Sequence, residues 1–135
     1  MTVLPKISVC IYINGSFDLA ELELIIDSHR NARITLKYKH KEITKIATDF
    51  FEALCLIRQD LENENILILC NGARKDVYPS SMGRQMGMGL KAYVHELGKN
   101  TNNIVKIFEK ADLESISSVS EQKEFYYKWL ETLRS

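Results

Sequence analysis

The sequence predicts an α+β fold: one largely antiparallel sheet with a long central helix and a C-terminal helix packed on it. Three observations carry this. Ile7, Val9, Ile11 and Ile13 alternate with Ser8, Cys10 and Tyr12, the period of two that marks a strand. Ile43, Ile46, Ala47, Phe50, Leu54, Ile57 and Leu61 recur at helical spacing. Phe125, Trp129, Leu130 and Leu133 do the same close to the C-terminus. A chain of 135 residues with no linker, repeat or low-complexity tract reads as a single domain, 1–135.

The elements follow in order. The first strand ends at Asn14-Gly15-Ser16. Asp18 and Glu21, three apart, form a candidate capping box for a short helix over about 19–27. Ile34, Leu36 and Tyr38 alternate with Thr35, Lys37 and Lys39, a strand with one wet face. The long helix is expected from about Glu42 to Glu62, closed by Asn63-Glu64-Asn65. Ile66 to Cys70 is apolar on both faces and short, the signature of a central strand. Further strands are expected over 90–95 and 104–108, separated by a polar turn at 98–103. Ser118 and Glu121 make a second capping box, opening a helix over 119–134 with Arg134 at its negative end.

Bulk composition narrows the function. Eighteen basic residues balance eighteen acidic ones, so the chain lacks the overall basic footprint of a nucleic-acid binder. Cys10, Cys55 and Cys70 have no CxxC spacing and read as core thiols in a reducing cytoplasm. No apolar run approaches the roughly 20 residues of a membrane span, and the N-terminus lacks a signal-peptide pattern. A cytoplasmic protein with no membrane contact is expected.

Residues 70–93 hold four of the six glycines (Gly72, Gly83, Gly87 and Gly89) and three of the four methionines. Such a cluster implies backbone that turns sharply or packs closely. Gly83 to Lys91 invites comparison with a phosphate loop, but the Gly-x4-Gly-Lys-Ser/Thr string is missing. Met82, Met86 and Leu90 have helical spacing and are expected in the core, although the sequence leaves open whether 80–89 is helix or loop. His29, His40 and His95 show no metal-binding spacing and read as surface residues, with His95 singled out because it follows the Gly-rich segment. No metal or cofactor is expected.

Two functions remain. An enzyme reading uses Cys70, His95 and the Gly-rich segment 83–91 as a small hydrolase or nucleotide-processing site. A binding reading uses Arg74, Lys75, Asp76, Tyr78 and Arg84, where Tyr and Arg supply interface anchors and charges of both signs suit a protein partner.

The string from Asn71-Gly72 through Tyr78-Pro79-Ser80, then Met82, Met86, Gly89 and Ala92-Tyr93, is joined by a closing segment from Ser120-Glu121-Gln122 to Trp129-Leu130. Together they resemble a pattern in small cytosolic immunity proteins of bacterial polymorphic-toxin and contact-dependent growth inhibition systems. The similar part covers about residues 43–133. The resemblance implies a non-enzymatic toxin inhibitor that binds a cognate toxin domain, a nuclease being one candidate, and blocks its active site. Inhibitors of cationic nucleases use acidic faces to speed capture. In this neutral chain that face would be local, at Asp60-Glu62-Glu64 or Glu109-Asp112-Glu114.

Overall fold

Apolar–polar alternation governs more of the chain than expected. The computed structural model describes residues 1–100 and 102–134. Its first 47 residues form five strands: β1 (Thr2–Val3), β2 (Ile7–Ile13), β3 (Ser16–Ile26), β4 (Ala32–Tyr38) and β5 (Lys41–Ala47). They pair antiparallel in the order β5-β4-β3-β2, and β1 takes the edge of β3 beyond the end of β2. β6 (Leu67–Ile68) closes the other side against β2.

The helix expected over 19–27 is therefore part of β3. Asn14 and Gly15 both have positive φ (52° and 76°), as a tight hairpin turn requires, and send the chain straight back along β2. Ala20, Leu22 and Leu24 are buried and alternate with Glu21 and Glu23, so period two outweighs the apparent Asp18–Glu21 capping box. The long helix is corrected too. Residues 41–47 are β5, and α1 spans Phe50–Glu62. Ile43, Thr44 and Ile46 are β-branched and pair with β4, which places Ile46 on the open face of the sheet, 54% exposed. Asp49 starts the helix as N-cap, its Oδ1 accepting from the Glu52 N–H at 2.8 Å.

α1 lies on one face of the sheet. Phe50, Phe51, Leu54, Ile57 and Leu61 form one core with Ile11, Leu22, Leu24, Ile34 and Leu36. The α+β class and antiparallel pairing hold, but the strands are divided between two sheets. β7 (Val77–Tyr78), β8 (Lys91–Val94) and β9 (Ile104–Lys106) form a second, small antiparallel sheet. α2 (Ser81–Gly87) bridges β7 and β8, so the segment 80–89 is mostly a two-turn helix.

α3 (Val119–Arg134) matches the expected helix. Its capping box is reciprocal: Ser118 Oγ accepts from the Glu121 N–H at 3.1 Å, and Glu121 Oε1 from the Ser118 N–H at 3.2 Å. Trp129 is buried, Phe125 and Leu130 are half-buried, and Leu133 is exposed. Thr101 in the expected turn and the Arg134 side chain lie outside the described residues.

Candidate functional site

The chain leaving β6 is fixed from below. Cys70 and the 3-10 turn Asn71–Ala73 are buried. A Cβ on Gly72 would stand 2.6 Å from Leu54 Cδ2 and 3.0 Å from Ile107 Cβ, so only glycine lets the turn settle on α1. Arg58 of α1, itself buried, reaches up to donate to the carbonyls of Gly72 (3.3 Å) and Ser117 (2.9 Å) and to Gln122 Oε1 (2.6 Å). The Gln122 amide nitrogen in turn donates to the carbonyls of Gly72 and Arg74 at 2.8 Å and of Val77 at 2.9 Å. This Arg58–Gln122 latch ties α1, the Gly-rich segment and α3 together. Sequence reasoning missed it, because a polar residue in an amphipathic helix reads as solvated.

The second half of the segment is built by its caps. Ser80 Oγ accepts from the Gly83 N–H at 2.9 Å and starts α2. Met88 and Gly89, with φ of 56° and 68°, end it, and the Met88 carbonyl accepts from the Phe50 N–H at 2.8 Å. A Cβ on Gly89 would meet Asp49 Oδ1 at 2.8 Å. Gly72 thus serves close packing and Gly89 both turning and close packing, as expected from the clustering, whereas Gly87 faces open space. The methionine stripe is a correction. Met82 and Met86 are 68% and 74% exposed, and Met88 is the buried one. The helix is only seven residues long and none of them is buried, so its i, i+4 pair faces outward.

α2 is consequently a ridge between two clefts. On one side Met82, Met86, Leu90, Tyr93 and Ile104 line an apolar groove of about 450 Å³. Ile104, on the last strand of the small sheet, is 53% exposed there. On the other side Arg84, Gln85, Ser81, Asn31, His29 and Arg30 border a polar cleft of about 540 Å³.

The five residues proposed for binding are arranged unequally. Arg74 grips Asp76 with two bonds, Nε to Oδ1 at 3.0 Å and Nη2 to Oδ2 at 2.9 Å. Lys75 is exposed, its Nζ 5.9 Å from the Phe125 ring centre. Tyr78 and Arg84 are brought together. Tyr78 is half-buried, stacked on Tyr126 at 4.2 Å and edge-on to Phe51 at 5.0 Å. The Arg84 guanidinium lies over the Phe51 and Tyr78 rings at 5.0 and 5.3 Å, with Glu52 at 3.4 Å and Asp49 at 3.5 Å.

The residues of the enzyme reading have separate surroundings. Cys70 is fully buried, and burial pushes its thiol up to about 11, so it is protonated at neutral pH. Its neighbours are Arg58, Gly72 and Ala73. His95 is buried rather than on the surface, packed on Trp129 at 4.0 Å and near Tyr126 at 5.4 Å. The aromatic wall of α3, out of sequence range, encloses it. Its Nε2 bonds the Tyr78 carbonyl at 3.1 Å; a carbonyl only accepts, so Nε2 carries the hydrogen. Nδ1 then holds a bare lone pair, sealed from solvent and without a donor among the described residues.

Burial holds the His95 pKa below the ordinary imidazole value of 6.5. The unfolded chain therefore binds more protons just below pH 6.5, and the contribution of His95 to stability, complete above that value, is lost on acidification. His95→Gln should flatten the dependence of the unfolding midpoint between about pH 5 and 7. An unchanged slope in the variant would show that His95 does not titrate on unfolding.

Among the described residues no cluster of His, Cys, Asp and Glu is arranged to hold a metal, and no helix is long and apolar enough to cross a membrane. No protein-family model and no curated protein matches this chain.

Proposed function

We propose that this chain is a binding protein that neutralises a cognate toxin domain by covering its active site, as an immunity protein does. The observation that carries the reading is the apolar groove beside α2, where Met82, Met86 and Ile104 stand more than half exposed. Methionine side chains are flexible and polarisable, which suits a surface that must mould to a partner. Contiguous exposed apolar surface on a small domain marks an interaction site. Arg84, held over Phe51 and Tyr78, adds a pre-ordered cation on the same helix. Arg84 is already met by Asp49 and Glu52, so the surface fits a toxin face that is chiefly apolar. The buried, protonated Cys70 thiol and its distinct neighbourhood from His95 weigh against the hydrolase alternative.

The test is co-expression with the toxin-like product of the neighbouring reading frame. The wild-type chain should bind it one-to-one and keep the cells alive. Met82→Glu with Met86→Glu should abolish both binding and protection while the thermal unfolding midpoint stays within a few degrees, because both side chains are exposed. Cys70→Ala should still protect. Protection that survives the double methionine change would move the interface elsewhere, and absence of binding by the wild-type chain would remove the toxin-inhibitor reading.

A further inference from the structure

Three cysteines and four methionines divide sharply by exposure. Met82 and Met86 are exposed, one helical turn apart on α2, whereas Met88, just past the helix, is buried. Cys55 and Cys70 are buried, and burial pushes both thiols up to about 11, so neither supplies thiolate at neutral pH. Cys10 is half-buried in β2. A thioether has no proton to lose, so its exposure decides how readily an oxidant reaches it. Met1 is exposed as well, but it is not part of the groove beside α2.

The place of the exposed pair matters as much as its exposure. Both methionines line the groove with Leu90, Tyr93 and Ile104. No residue of α2 is buried, so an oxygen added to either sulfur displaces nothing in the core. Oxidation replaces a flexible apolar side chain by a polar one. Two sulfoxides would change one wall of the groove from apolar surface to strong acceptors, which a dry interface leaves unpaired.

We propose that Met82 and Met86 form a reversible oxidation site, at which a hydroperoxide converts both thioethers to sulfoxides and makes the groove polar without unfolding the chain. A sulfur lone pair attacks the terminal peroxide oxygen. The S–O bond forms as the O–O bond breaks, and the proton of that oxygen passes to the departing hydroxide or alkoxide, which leaves as water or alcohol. The sulfur loses two electrons and the peroxide gains them. Methionine sulfoxide reductases, one for each sulfoxide epimer, reverse the change with a dithiol: the oxygen leaves as water and the dithiol becomes a disulfide. The consequence for toxin capture rests on the groove being the interface, whereas the oxidation itself and the loss of apolar surface do not.

The experiment treats the full chain with hydrogen peroxide, maps oxidation over time by peptide mass spectrometry, and reads apolar surface from retention on a phenyl column. Met82 and Met86 should gain oxygen about tenfold faster than Met88 or more. The oxidised chain should elute earlier, with a thermal midpoint within a few degrees of the untreated one. The two reductases with dithiothreitol should restore the retention. Met82→Leu with Met86→Leu keeps the groove apolar and should elute late with or without peroxide, which separates the groove from Met1 and the cysteines. Where the untreated chain captures the toxin-like product, oxidation should weaken capture roughly a hundredfold, and the double leucine variant should bind and stay insensitive to peroxide. Met88 oxidised as fast as Met82 and Met86, retention unchanged by oxidation, or an equal peroxide shift in the leucine variant would overturn the proposal. Capture that survives full oxidation of both methionines would overturn the switching of the interface. Absence of capture by the untreated chain would strike the toxin-inhibitor reading alone, with the oxidation site still decided by the mass map and the retention.

Discussion

Phe50→Ala should lower stability by about 3–5 kcal/mol, the cost of removing a large aromatic ring from a packed core. Phe50 is fully buried at the first turn of α1, and its ring meets Phe108 edge-on at 6.5 Å. The residue joins the main core to the chain that follows the small sheet, so a cavity there loosens two layers at once. Its backbone N–H is bonded to the Met88 carbonyl at 2.8 Å, which keeps the helix start in place and limits how far the cavity can collapse. Chemical denaturation should show a lower midpoint with an unchanged slope, and the thermal midpoint should fall by roughly 10–20 °C. A variant within 1 kcal/mol of wild type would mean that Phe50 is not the packing centre its burial indicates.

Gln122→Met should cost about 2–4 kcal/mol although it preserves the length of the side chain. The substitution removes the only side-chain donor, among the described residues, to the Arg74 and Val77 carbonyls and the acceptor that faces Arg58 Nη1 at 2.6 Å. The Val77 carbonyl then bears its desolvation penalty, while Arg58 Nη1 and the Arg74 carbonyl are each left with one partner, the Gly72 carbonyl and the Val77 N–H. Among the described residues Arg58 has no carboxylate within ion-pair distance: its charge is met by carbonyls and by the Gln122 oxygen. A double-mutant cycle of Arg58→Met and Gln122→Met should give a coupling energy above about 1 kcal/mol, because the two act as one network. Additive effects would show that the latch is two independent contacts.

The fold was legible where a pattern is local. β2, β4 and α3 follow from apolar spacing and, for α3, from a capping box that the structure forms on both sides. The errors came where two local signals compete. Asp18 and Glu21 imitate a helix start, yet the Asn14-Gly15 turn and the alternation of Ala20, Leu22 and Leu24 decide for a strand. Ile43 and Ile46 extend the α1 stripe in register by coincidence; strand pairing to β4 takes them, and Asp49 marks the true start. The candidate site was legible only as a segment. Its glycines announced tight packing, and Gly72 and Gly89 are indeed pressed against α1 and its cap. Whether Gln122 is wet or buried depends on Arg58, Gly72, Arg74 and Val77, more than 40 residues away, which no window of sequence contains.

The latch also sets a register. Successive residues of an α-helix point about 100° apart, and only one rotation of α3 turns Gln122 toward the carbonyls of Gly72, Arg74 and Val77. Apolar side chains tolerate sliding, since one greasy contact substitutes for another. A single amide set against three fixed acceptors does not. The helix is thereby indexed against the loop, and the rings of Tyr126 and Trp129, about one and two turns further on, meet Tyr78 and His95 in the same phase in every folded molecule.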